Sequence, residues 1–376
     1  MTIPTPTSVE DPLADWGNDD LLFETNTRAY AAAAHPRLLS VLDWPELRAR
    51  FAGFDQAANT ARKASRKAGV RACILGYIGL LITALMPLLT RGHPHVPQVL
   101  GPLAASFAAV STLWGYAMVL HGQQKAQWLS NRYWTERLRQ LHFQLIINHL
   151  PLVVQIMRGD AAALAEWKAL RTAALARFNH LHVDEVTDTM ARMEADEAEH
   201  EFWLDPAWER CGDAPPSSPE LEEIYSVLKD QRFEIQRRFS SLKTAPDNWH
   251  SSSMRSNKVS AISDTLTFFV LMTVIVGGAL LGFGWLSDSL AIQIIIAVSG
   301  VFSGTVVLLR VLNEGLQLNS EAERYTWYKA TVSSLSERFS RADGDARLDI
   351  LRDMERLSYQ EMRWFLISFK QARFIM

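Results

Sequence analysis

The sequence has only two cysteines, Cys73 inside an apolar run and Cys211 in a Pro/Ser-rich stretch. A disulfide between two such settings is implausible, so a secreted framework stapled by disulfides is excluded. There is no phosphate-binding glycine loop, no paired zinc-type cysteines, no Gly-x-Ser-x-Gly elbow and no HExxH. An enzyme reading therefore has little to stand on, and no cofactor or metal is expected. No stretch alternates polar and apolar residues with the period of two that a half-buried strand requires, which points to an all-α chain. The formal net charge of −3 gives no reason to expect binding to duplex nucleic acid. Residues 1–20 are acidic and contain proline, with neither a basic nor an apolar leader region. They read as a flexible tail, and the first apolar run is expected to act as the insertion signal.

The most informative absence is local. Residues 72–89, 96–120, 265–286 and 289–309 contain no Asp, Glu, Lys or Arg. Each run is long enough to cross a hydrocarbon layer of about 30 Å as a helix rising about 1.5 Å per residue. The first two are joined by residues 90–95 and the last two by residues 287–288, so the chain is organised around two membrane hairpins.

Basic residues sit at the ends of these hairpins. Arg62, Lys63, Arg66, Lys67 and Arg71 precede the first span, and Lys125, Arg132, Arg137 and Arg139 follow the second. Arg237, Arg238, Lys243, Arg255 and Lys258 precede the third, and Arg310, Arg324 and Lys329 follow the fourth. The joining loops carry only Arg91 and Asp288. By the positive-inside rule a multi-pass membrane protein with both termini cytoplasmic is expected.

Outside the spans the pattern is helical. Residues 21–42 hold room for a short helix, and Asp43, Pro45 and Glu46 open an amphipathic helix that feeds into the first span. Trp128, Tyr133, Leu138, Leu141, Leu145 and Ile146 continue at helical spacing past the second span, which is expected to extend as one long helix to a boundary at Pro151. Helices are expected over 161–178, 183–203, 219–242 and 249–263, with a linker at 211–219. The expected domains are a tail and short helix at 1–42, a first two-span unit at 43–150, a helical insertion at 151–247 and a second two-span unit at 248–376.

The halves match in more than hydropathy. Arg132-Tyr133 lies twelve residues beyond Leu120, and Arg324-Tyr325 twelve beyond Leu312. Ala104, Ala108, Ser111 and Gly115 in the second span share their spacing with Gln293, Ala297, Gly300 and Gly304 in the fourth. A duplicated unit of helix, span, span and long helix accounts for both. The small-residue stripes, with Gly278 and Gly282 in the third span, either pack helices within one subunit or, through Gln293, Ser299, Ser303 and Thr305, line a wet path where subunits gather. No span holds a central acid or base, which argues against an ion-coupled transporter. The cations Arg62, Arg66, Lys67, Arg132, Arg137, Arg139 and Arg324 either set topology and attract anionic lipid, or grip a nucleotide phosphate between long helices. Glu197 and His200 form one Glu-x-x-His step without a second, which reads as a solvated acidic face.

A basic amphipathic helix, a tight two-span hairpin, a long helix bearing Arg132 and Glu136-Arg137-Leu138-Arg139, and a helical tail together resemble the SLATT superfamily. Those are the SMODS- and SLOG-associating two-transmembrane effector domains of bacterial conflict systems. The resemblance covers 44–150 best and 248–376 less closely, because Lys329 and Ala330 stand where the second copy would carry the basic pattern. It implies a homo-oligomeric effector, embedded in the lipid bilayer, that permeabilises the membrane as a channel or pore. Its trigger would be a nucleotide second messenger, or a nucleotide-producing or TIR-type partner enzyme. A non-conducting anchor that tethers a cytosolic partner through 151–247 is the alternative.

Overall fold

The computed structural model describes residue 16 and residues 19–90, 95–120, 123–181, 202–210, 214–246, 251–283 and 289–372. Among these the chain is helical and contains no strand. The elements are α1 (Thr25–Ala34), α2 (Leu39–Leu42), α3 (Pro45–Leu89), α4 (Val96–Trp114), a π-helical turn (Gly115–Leu120), α5 (Gln123–Asn148), α6 (Leu150–Met157) and α7 (Ala161–Leu181). A 3-10 turn follows (Pro206–Arg210), then α8 (Pro219–Leu228), a second π-helical turn (Lys229–Glu234), α9 (Ile235–Thr244), α10 (Ser252–Gly282), α11 (Ser289–Leu316), α12 (Leu318–Arg341) and α13 (Gly344–Gln371).

Local chemistry explains most boundaries. Pro45 and Glu46 open α3, which runs unbroken from the polar segment into the first apolar run. Pro151 stands in the first turn of α6, directly after α5 ends. Gly159 turns the chain at φ 88°, where a side chain would be strained, and Asp160 Oδ1 then accepts from Ala162 N at 2.8 Å to start α7. Ser218 caps α8 by accepting from Leu221 N at 3.2 Å, with Glu220 and Glu222 at the positive helix end.

Two expectations need correction. The second span does not extend as one uniform helix: α4 stops at Trp114, a π-helical turn follows from Gly115, and α5 begins at Gln123. A wider turn re-aims the helix where glycine offers the least resistance. The fourth span runs on past Gly304, the counterpart of Gly115, and breaks later, where Gln317 takes a left-handed φ of 54° between α11 and α12. The segment before Leu21 is also not wholly a solvated tail. Trp16 is fully buried, edge-on to Tyr30 at 5.1 Å and stacked on His35 at 5.9 Å, and Asp19 and Asp20 are buried too. The joining loops at 91–94 and 284–288, Cys211, and residues 183–201 of the helix expected over 183–203, with Glu197 and His200, lie outside the described residues; the last two, Phe202 and Trp203, form a turn and bend rather than helix.

Contacts divide the chain into two compact units. The helical unit comprises Met1–Gln56, Ser130–Leu242 and Arg324–Trp364, and the span unit comprises Ala57–Leu129, Lys243–Glu323 and Phe365–Met376. These units cut across the four sequence segments, because their boundaries fall inside the helices α3, α5, α9, α12 and α13. The core of the helical unit is an ordinary apolar one, with Leu47, Leu138, Phe143, Trp167, Ile224, Phe233, Val332 and Leu351 all buried.

The span unit has the opposite surface. Four helices are long and apolar enough to cross a membrane, in Pro45–Leu89, Val96–Ala117, Ser252–Gly282 and Leu290–Leu316. On α10, Phe268, Phe269, Leu271, Val274, Ile275 and Val276 are exposed together. A patch of that extent is foreign to a water-soluble monomer and normal where lipid is the solvent. Length, composition and exposure are those of a multi-pass membrane protein.

Candidate functional site

The small-residue stripes form seams within the span unit. A Cβ at Gly79 of α3 would lie 3.1 Å from Ala104 O and 3.4 Å from Ala108 N of α4. One turn on, Ser111 donates to Ala72 O at 2.8 Å, and Gly115 faces the Ala72 side chain at 3.9 Å. Ala104, Ala108, Ser111 and Gly115 are therefore where the first hairpin closes.

The stripe of the fourth span closes on α3 as well. A Cβ at Gly300 would stand 2.8 Å from that of Ala84, and one at Gly304 would meet Tyr77 and Leu80 at 3.7 and 3.8 Å. Beside them Tyr77 donates its hydroxyl to Thr305 Oγ1 at 2.8 Å, while Thr305 donates to Val301 O. Ala297, almost fully buried, belongs to the same face of α11. These contacts pack the stripe against α3 within one chain. Gly278 and Gly282 on α10 meet nothing within 4 Å.

The polar residues at membrane depth behave differently. Ser303 is exposed on α11. Gln293 Oε1 and Ser299 Oγ are buried atoms without a hydrogen-bond partner among the described residues, as are, just beyond the uncharged runs, Ser263 Oγ on α10 and Asn313 Oδ1 on α11. Two contacts fix the register of α10 against α11, Gly277 with Ile295 and Phe269 with Phe302, and two more hold the start of α10 against α12, Ser256 with Asn319 and Ser252 with Glu321. Positions 295, 299, 302, 306 and 313 share one face at that register, so Ser299 and Asn313 stand on the side of α11 that meets α10. The buried residues of α10 are Ser252, Ser256, Ser263 and Gly277, a hydroxyl-bearing face with no large side chain. Ser263 and Asn313 were not singled out from the sequence; the helical spacing of Ser252, Ser256 and Ser263 before an apolar run is the signal by which Ser263 was open to being found.

In the helical unit the candidate arginines are paired. Arg132 reaches Asp55 at 3.4 Å and Glu136 at 2.5 Å, and Arg139 reaches Glu136 at 2.6 Å and Asp20 at 3.0 Å. Arg137 donates to Gln140 Oε1 at 2.8 Å and Phe202 O at 2.9 Å, with its guanidinium 4.9 Å from the Tyr359 ring. Arg324 pairs with Glu361 and lies over Tyr325. The most buried pair, Arg232 with Glu355 at 2.6 Å, was not anticipated, because the two residues are distant in sequence and neither belongs to a motif.

Burial and charge compete across this network. Burial pushes the Asp20, Glu355 and Glu361 carboxyls above their ordinary values, against the pull of Arg139, Arg232 and Arg324 respectively. Glu136 is also opposed by burial, but Arg132 and Arg139 together outweigh it and hold it below the ordinary carboxylate range. Burial, then Arg171, Arg232 and Arg48, hold the His142 imidazole well below its usual value.

A cleft of about 790 Å³ opens beside Trp44, lined also by Ser40, Glu46, Lys168 and Arg171. Arg171 closes its floor by donating to Asp43 O at 2.9 Å, Ser40 O at 3.2 Å and Val41 O, the orphan carbonyls at the end of α2. Burial lowers its pKa to about 10.

The remaining candidate cations lie in the span unit. The Arg62 and Arg66 guanidiniums each stand 5.8 Å from the Trp128 ring, Arg66 comes within 3.9 Å of Glu321, and Lys67 is exposed. Comparison with protein-family models, curated proteins and solved structures finds no match for this chain.

Proposed function

We propose that the protein is an effector of a bacterial anti-phage or conflict system that oligomerises and permeabilises the inner membrane under the control of a nucleotide-type signal. The four apolar helices support the membrane part of this reading. The basic ends of the hairpins support cytoplasmic termini. The resemblance to the SLATT superfamily supports the effector part.

The observation that carries it is the pair of polar atoms at membrane depth without partners among the described residues, Gln293 Oε1 and above all Ser299 Oγ near the middle of α11, with the exposed Ser303 one turn away. In hydrocarbon an unsatisfied polar group costs several kcal/mol, so Ser299, on the side of α11 that meets α10, gains a partner when that seam opens to water or to another chain. Liposomes holding the purified protein should release a trapped dye once the trigger is added, and Ser299→Leu with Ser303→Leu should suppress the release. Vesicles that stay tight under every nucleotide tried, with a strictly monomeric complex in detergent, overturn the proposal.

A non-conducting anchor is the second reading. It is favoured by the seams at Gly300 and Gly304, which join helices of one chain, and by the pairing of Arg132, Arg137, Arg139 and Arg324 inside the helical unit. Deleting 151–247 should then remove all activity while the span variants are silent.

A further inference from the structure

The basic residues of the chain are not used alike. Those of the helical unit named above meet carboxylates or carbonyls. On α3, Lys63, Lys67 and Arg71 are exposed, and none has an ion-pair or hydrogen-bond partner among the described residues. They are spaced i, i+4 and i+8, which puts all three on one helix face about 12 Å long. Like charges at that spacing destabilise a helix unless an anion from outside neutralises them.

The position of the stripe identifies the anion. Arg71 adjoins Ala72, the first residue of the uncharged run, so the stripe points at the membrane surface. Arg62 and Arg66, by contrast, turn inward over the ring of the buried Trp128, so the exposed cations of α3 are the ones left to face the surface. A soluble nucleotide wants convergent donors in a pocket, whereas this is a convex row on one helix, suited to a surface of many phosphates.

We propose that Lys63, Lys67 and Arg71 dock the phosphate groups of anionic phospholipid. The contribution is graded: Arg71 sits at the edge of the apolar run, Lys67 one turn further out, and Lys63 about a Debye length away. This inference needs the membrane spans but not permeation, so it survives if the effector proposal fails.

The test is native mass spectrometry of the full-length protein in detergent, titrated with phosphatidylglycerol or phosphatidylcholine. The wild type should prefer phosphatidylglycerol, losing about fivefold in affinity for each charge removed near the surface, most for Arg71→Gln and least for Lys63→Gln. The charge-preserving variant K63R/K67R/R71K should keep the preference, which separates lost charge from lost fold. Equal uptake of the two lipids by the wild type, or an unchanged preference in K63Q/K67Q/R71Q, overturns the proposal. Displacement of phosphatidylglycerol by inorganic phosphate or ATP also overturns it and hands the stripe to a soluble anion.

Discussion

Arg232 and Glu355 show what single residues contribute. Both side chains are shielded from solvent, and Arg232 also donates to Ser358 Oγ at 3.0 Å and covers the Phe143 ring. Arg232→Met should cost about 3 kcal/mol, because it leaves a buried carboxylate without its partner, and adding Glu355→Leu should return most of that. Thermal unfolding in detergent reads both. His142 supplies a pH signature. Its pKa lies well below 6.5 in the fold and near 6.5 once the chain unfolds, so the folded state binds fewer protons in that window. The stability tied to His142 is complete above about pH 6.5 and falls by up to about 1.4 kcal/mol per unit as the solution is acidified. Asp20, Glu355 and Glu361, with raised values, act in the opposite sense. The difference between wild type and His142→Gln across that range isolates the imidazole, and a difference independent of pH contradicts the assignment. None of these pairings was legible in the sequence. Arg132, Arg137 and Arg139 announced themselves by density, but beside the local Glu136 the counter-charges Asp55 of Arg132 and Asp20 of Arg139 arrive from another part of the chain.

At the scale of elements, the seam between α3 and α11 rests on a single missing side chain. Gly300→Leu would drive a branched side chain into Ala84, where even a Cβ would stand at 2.8 Å. A thiol pair at Tyr77→Cys and Thr305→Cys should be joined by a short bifunctional reagent in the parent and not in G300L; equal cross-linking would show that the seam does not depend on Gly300. Gln317→Gly should stabilise by about 1 kcal/mol, since glycine takes the left-handed φ of 54° without strain; a loss measured by thermal unfolding would show that the Gln317 side chain, which donates to Glu314 O at 2.8 Å, matters more. Helix starts were readable because proline, serine and acidic residues at Pro45, Pro151 and Ser218 act locally. The breaks at Gly115 and Gln317 were not, because they answer to how a span and its following helix pack rather than to any neighbouring residue. Trp16 was missed for the same reason: an isolated tryptophan in an acidic segment gives no sign that Tyr30 and His35 wait to receive it.

For the whole molecule, the division of labour between solvents explains the two units. The helical unit hides its apolar residues and pairs its charges, while the span unit exposes apolar residues that only lipid can cover. That contrast was legible from the start, since charge vanishes over long runs and returns in dense clusters. The permeation proposal, the cytoplasmic termini and the lipid-docking stripe all presuppose it. The measurement that tests it most directly is accessibility in intact cells, in a background with Cys73 and Cys211 replaced by serine. A membrane-impermeant thiol reagent applied from outside should label Gly92→Cys and leave Asp160→Cys untouched until the membrane is opened. Labelling of Asp160→Cys but not Gly92→Cys from outside, or recovery of the protein from the aqueous fraction without detergent, would contradict the account.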